Sequence, residues 1–564
     1  MDPWFETRNA KYKFLKPWDS YAPLPVFFEG WKSKGEIARY TWDFGDGTIE
    51  TNPYQFNAAH VYETPGTYTC SLTVEDAEGN TNAATFEVKV REPNGRTFYV
   101  DSESGSDMNP GNEELPWKSA TKAFRGMVNH FYRAGDRVLF KRGQTFEVEG
   151  GQVMPRHGRA GFGYSFGAYG EGEKPLLQRT GGGRILNLSG NGLGYFSLSD
   201  LRIRMESDPG DRGGEFLFST QDISQIMFLR VEAEAFSRFA VFSQGTGASD
   251  DANRAAGVFF MDCSFVDSQA SHIYAKASYL AIKNCRFDYS GNHIAYLGYV
   301  NGGLIQDSIF TRPAWGRAAL RLSGDSNDFD VPTQNVAVVG NTMEGWIDPR
   351  KIDPNDRRGT RQYANGTRYN FRLVDLSPNA PNKQRMQNVV FAQNRVKDAE
   401  TLLGIGAYDD LLVAENVFTT EDTSVNQARI LVGDDAERKP LRDVTIRNNW
   451  FSQAPGSSVA MIKVMPFSQP KGAFGAQHQR LRIVDNTIVS PNGSAYVLGA
   501  DTAGLRLALK EVDRNTIYTD QPKLVRVSGG EHLDLEGWRK KDHGEASTVA
   551  PAADAPPTPD RVFP

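Results

Sequence analysis

Cys263-Ser264-Phe265, Cys285-Arg286-Phe287, Ser308-Ile309-Phe310, Asn341-Thr342-Met343, Asn394-Arg395-Val396, Asn416-Val417-Phe418, Asn449-Trp450-Phe451, Asn486-Thr487-Ile488 and Asn515-Thr516-Ile517 are nine copies of one phrase. Each reads as a small or polar residue, any residue, then a large apolar one. Alternating apolar runs precede most copies, as in Val336-Ala337-Val338-Val339 and Val444-Thr445-Ile446. Such recurrence is the mark of a solenoid, whose units stack one on the next. On a strand the first and third residues of the phrase point the same way, so each stacks on its equivalents above and below. Asparagine suits the turn of such a coil because it tolerates left-handed backbone and bonds locally.

Consecutive copies lie 22, 23, 33, 53, 22, 33, 37 and 29 residues apart, so the shortest unit is about 22 residues and the others carry insertions. A coil of that length, made of three short strands and three turns, resembles the right-handed parallel β-helix. A leucine-rich repeat would show a regular leucine ladder, which these rungs lack. Period-2 alternation and β-branched, aromatic content exclude helical repeats. Insertions on single rungs should map to one edge of the coil, where solenoids build their binding face.

A chain of 564 residues has room for more than one domain, and a solenoid grows in one dimension without the usual limit on core size. The formal charge of −6 gives no nucleic-acid footprint, and no apolar run is long enough to cross a bilayer. Cys263 and Cys285 share a column of adjacent rungs, ~4.8 Å apart; a disulfide is geometrically permitted, but stacked free thiols are the preferred reading. Met1-Asp2-Pro3-Trp4 has neither a basic nor an apolar signal region. The expectation is that a signal has been removed, since the remainder reads as secreted or cell-surface.

Tyr40-Thr41-Trp42-Asp43-Phe44-Gly45-Asp46-Gly47-Thr48 is a strand entering an Asp-Gly turn. His60-Val61-Tyr62, Pro65-Gly66-Thr67-Tyr68 and two alternating strands follow. These elements, in this order, resemble a PKD (polycystic kidney disease) domain, which implies an Ig-like β-sandwich over residues 20–92. That family commonly serves as a spacer or glycan-binding accessory; Trp42 and Tyr68 are read as sandwich core. Residues 1–19 are then an N-terminal extension. Downstream, Tyr99-Val100-Asp101, Gly105-Ser106-Asp107, Asn109-Pro110-Gly111, Pro116-Trp117 and Gly135-Asp136-Arg137-Val138 resemble the entry segment of secreted carbohydrate-active β-helix proteins. Thr121–Ala134 has helical period, and the resemblance makes it the cap on the open end of the coil. Irregular early rungs are expected over 138–260, with a Gly-rich insertion at 157–184. The closing segment is Leu533–Trp538, the solenoid spans 96–543, and an Ala/Pro-rich tail at 544–564 is expected to be disordered. The fold class is all-β: an Ig-like sandwich plus a right-handed parallel β-helix with an N-terminal capping helix.

Three basic residues fall at matching offsets from the phrase: His272 nine past Cys263, His293 eight past Cys285, and Arg317 nine past Ser308. If the next residue faces the core, all three point outward in one column, together with Tyr274, Lys276 and Arg321. Uronate polymers carry a carboxylate beside an acidic C–H. β-Elimination from them needs a cation for the carboxylate, a base for the C5 proton and an acid for the leaving oxygen. Arg317 and Arg321 suit the first role, His293 or His272 the second, and Tyr274 or Lys276 the third. The constellation resembles β-helix polysaccharide lyases, pectate lyase-like in form, and mannuronan C5-epimerases as a class. An outward polar ladder equally serves to solvate the face. Arg350, Arg357, Arg358 and Arg361 could line a groove for an anionic chain, and Asp325, Asp328 and Asp330 offer oxygen ligands for Ca²⁺, although an Asx-rich turn explains them as well.

Two other functions are open. A glycoside hydrolase on this scaffold needs facing carboxylates, for which Asp267 and Asp288 are the best pair; Gly433-Asp434-Asp435 lacks companion motifs. A non-catalytic adhesion protein would use the same long face to bind glycan. The partner expected from these residues is an anionic polysaccharide, with no nucleic acid and no membrane insertion.

Overall fold

The computed structural model describes residues 18–129, 131–148, 163–180, 183–187, 193–206, 214–219, 223–242, 255–314, 317–324, 333–345, 372–377, 386–399, 401–406, 408–421, 429–432, 441–455, 460–464, 479–498, 509–527, 531–541 and 543–559. It divides into two units, one of Met1–Phe287 with Val300–Gln306, the other of Asp288–Tyr299 with Asp307–Pro564.

The first unit opens with the sandwich. Strands β1 (Asp19–Tyr21), β3 (Arg39–Asp43), β4 (Ile49–Asn52), β6 (Gly66–Glu75) and β7 (Thr81–Arg91) form one sheet; β2 (Leu24–Glu29) and β5 (Asn57–Tyr62) form the other. Trp42, Phe44, Tyr62, Leu72 and Val88 are buried between them, and Tyr68 packs partly buried at the margin. The residues that carried the PKD resemblance are structural. The Trp42 Nε1–H donates to Gln55 O at 3.0 Å, and the His60 ring stacks on Phe44 at 4.3 Å while meeting Asp46 at 2.7 Å.

The sandwich does not hang from a linker. Its β2 strand packs on the solenoid strands Ala255–Met261 and Ile273–Lys283. Lys283, a buried outer residue of the coil, pairs with Glu50 and donates to Ala59 O at 3.2 Å. The buried Asn57 amide donates to Gly303 O, Gln306 donates to Gln55, and Arg230 binds Glu63 at 2.7 Å. Within this unit the PKD domain is a docked flank of the solenoid.

Helix α1 (Ala120–Val128) closes the open end as expected, with Phe124 against Phe140 and Phe166. Ser119 caps it by accepting from Lys122 N. The helix is shorter than its period suggested because the chain turns back after Asn129. The Tyr132 ring lies where a Cβ on Gly126 would sit, and its hydroxyl donates to Ala123 O. Within 157–184, expected to be an insertion, Tyr164–Tyr169, Leu176–Thr180 and Gly183–Asn187 are rung strands. The phrase ladder also starts earlier than the sequence showed. Phe146, Leu177, Ile203, Ala233 and Phe265 stack in register. Leu201 and Val231 hold the first position of their phrases, and being apolar they hid those copies.

In the second unit each coil has three parallel strands. The phrase strands stack Phe310, Met343, Val396, Phe418, Phe451, Ile488, Ile517 and Val549. The left-handed residue is not the asparagine but the one before it. Asp307, Gln393, Glu415, Asn448, Asp485 and Arg514 have φ of 49° to 57°, and Gly340 has 72°. That corner turns each asparagine inward. The Nδ2 of Asn341, Asn394, Asn416, Asn449 and Asn486 then donates to the Oδ1 of the next asparagine at 2.9–3.1 Å, ending on Asn515.

The closing segment is a short helix, α2 (Leu535–Arg539), with Trp538 buried. The described part of the tail expected to be disordered, 544–559, is built into the coil. Thr548–Ala550 pairs with Thr516–Tyr518 as a final rung, and Pro559 O accepts from Arg395 at 2.7 Å. Arg395, Val417, Trp450, Thr487 and Thr516 form the outward column between these anchors. Val417 and Trp450 are buried there although they face out. Between the two anchors the chain makes a 3₁₀ turn at Ala552–Asp554 and then a proline-rich stretch with few bonds of its own.

Candidate functional site

In the second unit, chain order singles out one sheet. The turn from the strand before a phrase into the phrase is always short, as at Gly340-Asn341 or Glu415-Asn416. The long connections, among them 346–371, 378–385, 433–440 and 465–478, all enter or leave the strand that follows the phrase. Insertions beside one sheet are what a solenoid with a binding face displays. The outward column of that sheet runs Tyr296, Arg321, Asp375, Gly404, Leu431 and Lys463.

Its first three members make a charged cluster. Core residues alternate with them: Ala295 and Leu297, Leu320 and Leu322, Val374 and Leu376 are all buried. The Arg321 guanidinium lies over the Tyr296 ring at 5.2 Å and meets Asp375 at 3.5 Å. Arg372, two strand positions before Val374, meets the other Asp375 oxygen at 3.5 Å, and the Ser377 hydroxyl donates to that same oxygen at 2.5 Å. Buried Tyr408 lies near enough that the Asp375 charge, after burial itself, raises its phenol well above the ordinary range.

His293 completes the cluster. Its Nδ1 accepts the Ala318 N–H at 2.8 Å, which places the ring proton on Nε2. Burial first, then the positive charges of Arg321 and Arg317, push its pKa down to about 3. His293, Arg317 and Arg321 are thus together, as the sequence suggested, but His293 is not a base poised near neutrality. It is a neutral imidazole with one lone pair occupied, able to donate through Nε2–H.

His272 is a correction. It is fully buried among core rings, edge-on to Phe236 at 5.4 Å and Phe287 at 5.8 Å. It sits in the bend just before the strand Ile273–Lys283, where the alternation that turns Tyr274 and Lys276 outward does not yet set the direction of a side chain. Tyr274 and Lys276, in the first unit, do face outward, since Ile273, Ala275 and Ala277 are the core positions; Lys276 is largely covered. Arg350, Arg357, Arg358, Arg361, Asp325, Asp328, Asp330 and Gly433-Asp434-Asp435 lie outside the described residues. Among the described residues no group of three or more His, Cys, Asp or Glu is placed to hold a metal. Of the hydrolase pair, Asp288 is buried and engaged by Thr311 and a bidentate Arg312, while Asp267 is a left-handed corner residue at φ 59°. Both have structural work. Cys263 and Cys285 are buried free thiols, as preferred.

Sequence reasoning missed Tyr296 and Asp375 as site residues. Tyr296 stands in its strand where Tyr274 stands in the earlier one, which was a usable signal. Asp375 follows the 29-residue insertion 344–372 and could be placed only once the register beyond it was known.

Residues 25–90 match the model of the PKD domain. The chain is similar to collagenase ColA of Bacillus cereus, 42% identical over 65 residues, covering 11% of this chain and 6% of that protein. It is also similar to collagenase ColA of Clostridium perfringens, 37% identical over 91 residues, covering 16% and 8%. The chain therefore spans less than a tenth of the length of these relatives. Among solved structures, the Agl-KA catalytic domain aligns over 95% of this chain and 85% of its own at 10% identity and TM-score 0.38. The GH136 lacto-N-biosidase from Eubacterium ramulus aligns over 81% and 68% at 12% and 0.33. A mutant of the periplasmic alginate epimerase AlgG aligns over 74% and 78% at 10% and 0.31. Scores at this level establish nothing about activity.

Proposed function

We propose that this is an exported carbohydrate-active protein that binds an acidic polysaccharide along the outward column of its second unit and cleaves it by β-elimination. The observation that carries this is the convergence of Arg321 and Arg372 on one carboxylate, beside Arg317 and a histidine held neutral. A neutral histidine adds no charge of its own but offers a directed N–H, so the cationic character rests on planar guanidinium groups suited to carboxylates.

In elimination the C5–H bond breaks, its electron pair forms the C4–C5 double bond, the C4–O bond breaks, and the leaving oxygen takes a proton. Arg321 and Arg372 hold the uronate carboxylate and stabilise charge developing on it. The Asp375 oxygens are engaged by two guanidinium groups and Ser377, so the Tyr296 oxygen beside Arg321 takes the C5 proton as its own hydroxyl proton passes to the leaving C4 oxygen. His293 donates its Nε2–H to a substrate oxygen. Hydrolysis needs two facing carboxylates; among the described residues this cluster has Asp375 alone.

The test is incubation with a panel of polyuronates and neutral glycans. The expected result is unsaturated uronate absorbance with at least one polyuronate, lost in Arg321→Ala and Tyr296→Phe. Reducing ends without that absorbance would mean hydrolysis, and binding without either product would mean an adhesion protein. Both outcomes exclude the elimination.

A further inference from the structure

Gly404 occupies the outward column beside Asp375, inside the strand Thr401–Ile405. Glycine in a strand interior weakens it and usually marks a close approach of some other group. Its backbone is not the reason, because Gly404 is absent from the left-handed glycines, which include Gly340 and Gly302. Space is the reason. A Cβ at 404 would stand 2.6 Å from Arg372 Cδ, 3.1 Å from its Nε and 3.5 Å from its Cγ, all atoms of one flexible side chain. The Arg372 side chain therefore lies across the Gly404 backbone, and that course brings its guanidinium to Asp375 at 3.5 Å, opposite Arg321 at the same distance.

We propose that Gly404 is a specificity-determining position: the missing side chain lets Arg372 lie flat beside Arg321, and the two guanidinium groups form a fork for the substrate carboxylate. This deepens, and rests on, the reading of the cluster as a uronate site. Any side chain at 404 would lift Arg372 off the column and separate the fork, leaving one guanidinium to hold a charged sugar. The discrimination lost would be between charged and uncharged sugars, not between sugar and no sugar.

The experiment measures binding of a uronate trimer and of its methyl-ester counterpart to the full chain by calorimetry, at two salt concentrations. The variants are Gly404→Ala, Arg372→Ala, their double variant and Arg321→Ala. Gly404→Ala is expected to weaken the acidic trimer roughly tenfold, the value of one charge-assisted contact, to flatten its salt dependence, and to leave the ester unchanged. Because both single variants remove the same guanidinium, the double variant should bind no more weakly than either. Parental binding by Gly404→Ala, or additive losses in the double variant, overturns the proposal. So does loss of folding in Gly404→Ala, since a Cβ there should meet only a side chain that can move. If Arg321→Ala binds the acidic trimer like the parent, the uronate reading itself fails and this inference falls with it. If Arg321→Ala weakens binding but Gly404→Ala does not, the inference fails alone.

Discussion

The first position of the phrase is filled differently in the two units. In the first, Leu201, Val231, Cys263 and Cys285 occupy it, the thiols donating to nearby carbonyls such as Phe228 O and Phe260 O. In the second, asparagines occupy it from Asn341 to Asn515, with Ser308 before them and Ser547 after, and bond to one another up the stack. Phenylalanine pairs Phe216–Phe239, Phe228–Phe260 and Phe265–Phe287 stack at about 5 Å in the first unit, as Phe418–Phe451 does in the second, and the first also carries the docked PKD flank. One fold is thus held by apolar bulk and a brace in one region, and by a buried polar ladder in the other. The ladder is exacting: each amide is satisfied by its neighbours, so one gap strands several groups at once.

The largest effect expected from this contrast is at Asn449. Its amide donates to Val413 O, Arg447 O and Asn486, and its Oδ1 accepts from Asn416 N and Nδ2. Asn449→Ala should cost ~4 kcal/mol, because buried donors and acceptors lose partners on both sides. Cys263→Ala, at the same position of the other unit, should cost ~1 kcal/mol, since a small apolar group is removed and the carbonyls lose only weak S–H bonds. Urea unfolding of both variants measures this; equal losses would mean the ladder confers no special stability.

The brace comes next. Lys283 is buried with Glu50, so Lys283→Ala should cost ~2–3 kcal/mol by leaving a carboxylate covered with one cation fewer. The loss should appear in the first unit's transition and be partly recovered by Glu50→Gln in the same chain. If Lys283→Ala unfolds like the parent, the PKD domain is a passenger on the solenoid and not part of its stability.

Removing the chain after Ala550 should be milder, ~1–2 kcal/mol, because it takes away the Pro559 anchor on Arg395 without breaking the stack; the expected consequence is exposure of the outward but buried Val417 and Trp450. Limited proteolysis combined with tryptophan fluorescence would show it as a red shift. An unshifted spectrum would mean that something other than the tail covers Trp450.

How much of this was legible follows from what period and composition encode. The phrase, its spacing and the Asp-Gly hairpin of the sandwich were local patterns, and they gave the solenoid, the PKD domain and the end cap. The asparagine ladder was visible as residues but not as a network, because its meaning depends on the corner residue before each asparagine being left-handed. The site was half visible. Arg317, Arg321 and His293 were found by offset, whereas His272 lies in the bend before its strand, where strand alternation does not decide whether a side chain faces out or into the core. The tail was misjudged because proline-rich composition describes a chain that makes few bonds with itself and says nothing of a partner surface such as Arg395.

The smallest expected effect concerns pH and bears on the outward cluster alone. His293 has a folded pKa of about 3 against an ordinary 6.5, so its neutral form is the one the fold favours. Its contribution is complete above pH 6.5 and falls by about 1.4 kcal/mol per unit as pH drops toward 3, since only the unfolded chain takes up the proton. Between pH 7.5 and 5.5 the parent should therefore lose ~1.4 kcal/mol more stability than His293→Gln does. Binding behaves oppositely. An imidazole that stays neutral throughout this range brings no inflection of its own, so affinity for an acidic trimer should be flat from pH 5.5 to 7.5. An inflection near 6.5 that disappears in His293→Gln would mean the ring ionises in the site. The fork would then be joined by a third, switchable charge, and the separation of a fixed-charge face from a neutral donor would be wrong.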